Sequence, residues 1–266
     1  MTPTLHILLN QNYKLDADEA ITLAGIGSHC IQIHRSISTI PDGSTVLPRY
    51  YTYPYTQLFY DLKLKKCTPV NTKIQRDWIL NLSNWTDILG DATPKTYDLS
   101  ERVAYPGHPV IIRSDYGTMK HLEWKHVYAN SQERMMENYL TISLDSWHSQ
   151  FKKYARTYEN LCAIGKPLAN GMTMADEWRL FYYKGRQVAH GTYWPGDEYP
   201  TLEKRGLDFA DACARLLAPY IDFFTLDIAR TATNRWIVIE VNDANNSGLQ
   251  NIQPGLFYNK LYQATI

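Results

Sequence analysis

The stretches DFFTLDIA, residues 222–229, and RWIVIEVNDANNSGL, residues 235–249, decide how the C-terminal part of this chain folds. Both are dense in Ile, Val, Phe and Trp, and residues 230–234 between them carry the Thr and Asn chemistry of a turn. They predict a β-hairpin. Side chains on a strand alternate between faces, so Phe224, Leu226 and Ile228 point one way while Thr225, Asp227 and Ala229 point the other. In the second strand Ile237, Ile239 and Val241 share a face, and Val238, Glu240 and Asn242 take the opposite one. Setting Asp227 opposite Glu240 also sets Ala229 opposite Val238 and leaves a short loop, so three oxygen ligands converge on one face. Two carboxylates and an amide suit magnesium, which prefers oxygen donors and usually completes its shell with water and phosphate. The other reading is a solvated outer face of an amphipathic hairpin. The polar tail NDANNSG, residues 242–248, favours the metal, since a plain sheet edge has no need of it.

The rest of the composition narrows the function classes. The 266 residues are 44% hydrophobic and 20% charged, an ordinary globular balance. Lys plus Arg and Asp plus Glu each total 27, so no global basic field draws nucleic acid to the surface. The lysines of LKLKKC, residues 62–67, read as the solvated end of a helix. Cys30, Cys67, Cys162 and Cys213 lie far apart with no CxxC pair and read as reduced, buried thiols, and His121 and His126 do not have the spacing of a shared metal site. No apolar run approaches the roughly 20 residues that cross a bilayer, and no basic segment with an apolar signal core opens the chain. The expectation is a cytoplasmic protein with no membrane partner.

Along the chain, residues 5–10, 17–25 and 30–35 read as strand, helix and strand, a β-α-β opening. A strand near residues 45–49 follows, then helices over 55–66 and 72–89. In the second of these Ile74, Trp78, Leu82, Trp85 and Leu89 recur at spacings of three and four and predict a core-facing stripe. GDATPKTYDL, residues 90–99, is turn-rich and marks a boundary. Residues 109–129 then read as antiparallel β structure and 131–160 as polar and helical. Residues 176–194, DEWRLFYYKGRQVAHGTYW, form a hairpin turning at Lys184 and Gly185, and a helix over 202–217 presents Leu207, Ala210, Ala214 and Leu217. Hairpins interleaved with helices predict an α+β fold.

PVIIRSDYGTMKHLEW (109–124), DEWRLFYYKGRQVAHGTY (176–193), LDIA (226–229) and IEVNDANNSGL (239–249) form an ordered set that resembles the ATP-grasp superfamily. Within it, the chain is similar to a phage and bacterial clade in which one of the usual basic positions is altered. Upstream, VLPRYYTYPYTQLFYDLKLKKCTPVNT and TPKT look like the domain that precedes ATP-grasp folds. The resemblance implies a small α/β pre-ATP-grasp domain over 1–98 and an ATP-grasp domain over 99–266. The latter would divide into a lid-side subdomain, 99–165, and a metal-binding subdomain, 166–266, holding ATP between two α+β layers with two magnesium ions on its phosphates. Asp227 would bind one ion, Glu240 would bridge both and Asn242 would complete the second. Arg113 stands where family members commonly place a phosphate-binding lysine; either it or Lys120 would be the main phosphate contact. Glu177 would accept hydrogen bonds from the ribose. Arg179 would bind the γ-phosphate or a substrate carboxylate, or else pair with an acid on the neighbouring strand. Ala163, Ile164, Gly165 and Lys166, in the island LCAIGKPL, would read the adenine edge, or form an ordinary buried strand. Arg49 would touch an anionic substrate or serve the structure, and the tyrosines of RYYTYPY (49–55) read as packing rather than as a base-stacking surface.

The activity so implied is ligation of a carboxylate, on a small molecule or a peptide, to an amine through an acyl phosphate, with Arg113, Lys120 and Arg179 neutralising the transferring phosphoryl group. A kinase of the same fold and a catalytically inactive nucleotide-binding protein are the alternatives. The phage resemblance extends the expected location to the cytoplasm of an infected host.

Overall fold

The computed structural model describes residues 4–25, 30–101, 103–115, 124–157, 163–167, 173–194 and 201–265. The N-terminal elements are β1 (Leu5–Leu9), α1 (Ala17–Gly25), β2 (Ile31–His34), β3 (Thr45–Arg49), α2 (Thr56–Leu64), β4 (Thr68–Pro69), α3 (Lys73–Leu80) and α4 (Leu82–Leu89). There follow β5 (Thr96–Asp98), β6 (Val110–Ser114), β7 (Tyr128–Ala129), α5 (Gln132–Leu144), β8 (Lys153–Thr157), β9 (Ala163–Pro167) and β10 (Thr173–Ala175). The chain closes with β11 (Glu177–Tyr183), β12 (Arg186–Thr192), α6 (Lys204–Leu217), β13 (Phe223–Arg230), β14 (Trp236–Asp243) and α7 (Pro254–Thr265). Two compact units result, one made of residues 1–78, 178–227 and 240–266, the other of residues 79–177 and 228–239.

The first unit carries a parallel sheet of order β2-β1-β3-β4, with Leu5 opposite both Ile31 and Thr45. Central β1 is buried at every position, as a strand covered on both faces must be. An antiparallel sheet of order β12-β11-β13-β14 follows from the C-terminal hairpins. The β11–β12 turn falls at Lys184 and Gly185, both at positive φ (48° and 73°), the backbone a two-residue hairpin loop requires. Leu5, Ile7, Leu9 and Leu47 share one apolar core with Phe181, Phe223, Phe257, Tyr258 and Leu261, so the first seventy residues and the last hundred bury each other.

The second unit is an antiparallel sheet of order β5-β8-β6-β7. It is packed by α5, whose Met135 and Ile142 join Val110, Ile112, Ala129 and Ala155 in the core. Ser131 starts α5 by accepting the Arg134 N–H at 3.1 Å. β9 and β10 pair separately, Thr173 opposite Pro167 and Ala175 opposite Ala163.

Two expectations change. The single helix over 72–89 is two helices, because Asn81 leaves the helical backbone (φ −78°, ψ 110°) and caps α4 by accepting the Ser83 N–H at 3.1 Å. The break resets the phase. Leu82, Trp85 and Leu89 are buried as expected, but Ile74 is 81% exposed and α3 turns Arg76 and Ile79 inward instead. The polar stretch 131–160 is helical only to Leu144 and returns as β8. Cys67 and Cys213 are free and buried, and burial pushes the Cys213 thiol up to about 12; Cys162 and His121 lie outside the described residues.

Candidate functional site

β13 is buried from Phe223 to Ala229, on both of its faces. A solvated outer face is therefore excluded for Asp227, which is 1% exposed, and Glu240 on β14 is 9% exposed. The turn between them is held by Thr231, whose N–H donates to the Arg235 carbonyl at 2.8 Å and whose carbonyl accepts the Asn234 N–H at 2.9 Å. Asn234 takes the left-handed backbone there, with φ 62°.

A carboxylate this deep needs a counter-charge, and β11 supplies it. Arg179 Nε donates to Asp227 Oδ1 at 2.7 Å and Nη2 to Oδ2 at 2.6 Å, a two-pronged fork across neighbouring strands. Its third nitrogen, Nη1, donates to the Gly248 carbonyl at 3.1 Å, and the guanidinium lies 4.9 Å from the centre of the Tyr193 ring. Burial works against the charge on Arg179, but Asp227, Tyr193 and Glu240 outweigh it and hold its pKa above the usual guanidinium value. Of the two readings of Arg179, the ion pair with a neighbouring acid is the arrangement present. Asp227, Glu240 and the half-buried amide of Asn242 form an all-oxygen donor set, fitted to a hard cation that draws further ligands from phosphate and water. Among the described residues no three His, Cys, Asp or Glu side chains gather as a closed metal cage.

The tail that follows β14 is anchored by residues that pattern reading left unassigned. Arg49, fully buried at the end of β3, donates through Nη1 to the carbonyls of Ala244 (2.7 Å), Ser247 (3.1 Å) and Asn245 (3.3 Å). Its Nη2 donates to Glu19 Oε1 at 3.1 Å, and Glu19 also accepts the hydroxyls of Tyr50 and Tyr258. Burial opposes the Arg49 charge, yet Tyr258, Tyr50 and Glu19 outweigh it and raise its pKa. Arg49 thus serves the structure. Asp243 accepts the Asn71 amide at 2.9 Å and the Asn245 N–H at 3.1 Å, and its other oxygen lies 2.5 Å from Arg76 Nε. Farther on, Asn251 donates to the carbonyls of Thr192 (3.0 Å) and Trp194 (2.8 Å). Gly191, which pairs with Arg179, permits that approach, since a Cβ there would stand 2.8 Å from Ile252 Cγ1.

In the second unit Arg113 sits on β6, 2% exposed, with Nε donating to the Ser114 carbonyl at 3.4 Å. Glu177 opens β11 and is half-buried. Ala163 to Lys166 form β9, so their backbone is in a strand; their side chains and Lys120 lie outside the described residues. Arg156 was not anticipated. It ties β8 to the backbone just before Glu240, donating to the Ile239 carbonyl and to Thr93 Oγ1, each at 2.7 Å, while Thr93 donates to the Val238 carbonyl at 3.0 Å. Arg113 and Glu177 belong to this unit, and Arg179, Asp227, Glu240 and Asn242 to the first.

Residues 92–261 match the family described as ATP-grasp domain, R-to-K clade, family 3. No curated protein matches the chain by sequence. Among solved structures the chain is similar to D-alanine–D-alanine ligase from Bacillus anthracis complexed with ATP, at 10% identity and TM-score 0.63, covering 99% of this chain and 94% of that one. It is also similar to the ATP-grasp ligase PsnB complexed with a precursor peptide and AMPPNP, at 11% identity and TM-score 0.60, covering 99% of each chain. N5-carboxyaminoimidazole synthetase from Staphylococcus aureus complexed with ADP aligns at 9% identity and TM-score 0.63, over 98% of this chain and 78% of that one. At these identities the likeness is one of fold.

Proposed function

Because the chain belongs to family 3 of the R-to-K clade of ATP-grasp domains, with the α+β ATP-grasp fold, we propose that it is an ATP-dependent ligase joining a carboxylate to an amine. The observation that supports this reading most is the burial of two acids, Asp227 and Glu240, on the paired C-terminal strands beside the cation of Arg179, inside the matched segment. Such acids are costly to bury unless a cation is to be held there. Asp227, Glu240 and Asn242 would hold magnesium, which when bound supplies positive charge to the nucleotide phosphates. Arg113, Lys120 and Arg179 would bind phosphate oxygens, Glu177 the ribose and the backbone of residues 163–166 the adenine edge. Residues 1–91 would form the preceding domain that presents the substrate.

The substrate carboxylate oxygen attacks the γ-phosphorus, ADP departs with the electrons of the broken bond, and an acyl phosphate remains. The amine then attacks the acyl carbon and expels phosphate. No protein nucleophile is required; the side chains orient the reactants and neutralise charge that spreads over the phosphoryl oxygens. By their names, relatives of the fold act on D-alanine and on a precursor peptide, so amino acids and peptides are the first substrates to try. The test is an ADP-release screen over these compounds with product masses determined. An amide product supports the ligase; a stable phosphorylated product identifies a kinase; no ADP release with any carboxylate overturns both.

A further inference from the structure

We infer that Arg179 is a switching counterion, neutralising Asp227 while the nucleotide is away and turning its fork to phosphate when magnesium and nucleotide arrive together. The inference rests on the reading that Asp227 and Glu240 hold magnesium on ATP. Both oxygens of Asp227 accept from Arg179, so a cation approaching that carboxylate meets a guanidinium already in place. Glu240 adds its field to the same guanidinium. Two buried acids and one cation balance only while some cation stays between them, and a divalent ion can take the place of the guanidinium.

Release of the fork does not cost Arg179 its seat. Nη1 is held by the Gly248 carbonyl and the guanidinium by the Tyr193 ring, neither of which involves Asp227. A guanidinium freed from Asp227 still has to satisfy Nε and Nη2 in a site with little water, and phosphate oxygens match that planar fork. Metal therefore needs phosphate to draw Arg179 away, and phosphate needs metal to take over the charge of Asp227. Magnesium and nucleotide are coupled through one side chain, and linkage makes the coupling reciprocal.

The test is a calorimetric titration of the full chain with Mn2+, with and without AMPPNP, in the wild type, Arg179→Gln and Arg179→Lys. Wild type is expected to bind Mn2+ weakly alone and at least about tenfold more tightly with AMPPNP. Arg179→Gln, with no cation on Asp227, is expected to bind Mn2+ alone about tenfold more tightly than wild type and to lose the coupling. Arg179→Lys keeps a charge but cannot span both oxygens, and its Mn2+ affinity is expected between the two; it carries the test if Arg179→Gln does not fold. Equal Mn2+ affinity without nucleotide in wild type and in the folded variants, with AMPPNP still bound, overturns the switch and leaves the ATP reading standing. Failure of wild type to bind either Mn2+ or AMPPNP overturns the ATP reading and the switch with it.

Discussion

Arg49 has no exposure to water and donates to three backbone carbonyls of the 244–247 tail as well as to Glu19. Replacing it with Met leaves Glu19 as an uncompensated buried charge and the tail carbonyls without their donor, a loss of about 3–5 kcal/mol. Denaturant unfolding of Arg49→Met should show that loss; a change under about 1 kcal/mol would mean that the tail is held by other contacts. At the site itself Asp227→Asn and Glu240→Gln are expected to remove ATP turnover while circular dichroism shows the fold retained, and full ADP release in either would end the metal assignment. Asp227, Glu240, Asn242 and Arg179 were legible because strand parity places a charged side chain wherever a strand can be recognised. Glu19, Asn71, Arg76 and Asp243 were not, because their meaning lies in partners far away in sequence: Asn71 reaches Asp243 and Arg49 reaches Ala244. A one-dimensional pattern does not encode such pairs.

At the scale of elements, local chemistry decides ends better than lengths. The stripe from Ile74 to Leu89 was legible as apolar but not as broken, since Asn81 reads as a tolerable helix residue until its side chain is seen to accept the Ser83 N–H. Asn81→Ala should lower stability by about 1 kcal/mol, the ordinary worth of an N-cap, measured by urea unfolding. The parallel sheet carries a pH dependence. On β1 and β2, His6 Nδ1 lies 2.9 Å from His34 Nε2, and His34 Nδ1 lies 2.9 Å from Thr39 Oγ1. Burial lowers both pKa values, and the neighbouring positive charges of His34 (on His6) and Lys65 (on His34) lower them further. The unfolded chain thus binds protons, near the free imidazole value of about 6.5, that the folded chain refuses. Stability from this pair is complete above that pH and declines as pH falls through the lowered folded values. Urea midpoints should therefore drop between about pH 7 and 5.5, and less so in His34→Gln; equal slopes in the two proteins would remove the pair as the cause.

On the scale of the whole molecule, the first compact unit is assembled from three separated stretches of chain, and Leu5, Ile7 and Leu47 bury themselves against Phe257, Tyr258 and Phe181. The β-α-β opening and the α+β character were legible from periodicity, but this shared core was not, because each segment shows only that it has an apolar face and not which segment covers it. Residues 1–91 expressed alone should lack a cooperative thermal transition, as half of their core is missing; a sharp transition would show that the N-terminal segment folds independently. The central claim concerns the ligand for which that architecture is built. Calorimetric titration of the wild-type chain with AMPPNP, with and without magnesium, tests it most directly. The account expects saturable binding of one nucleotide per chain that requires magnesium and disappears in Asp227→Asn and Glu240→Gln, whereas no binding, or binding indifferent to magnesium and to both substitutions, would contradict it.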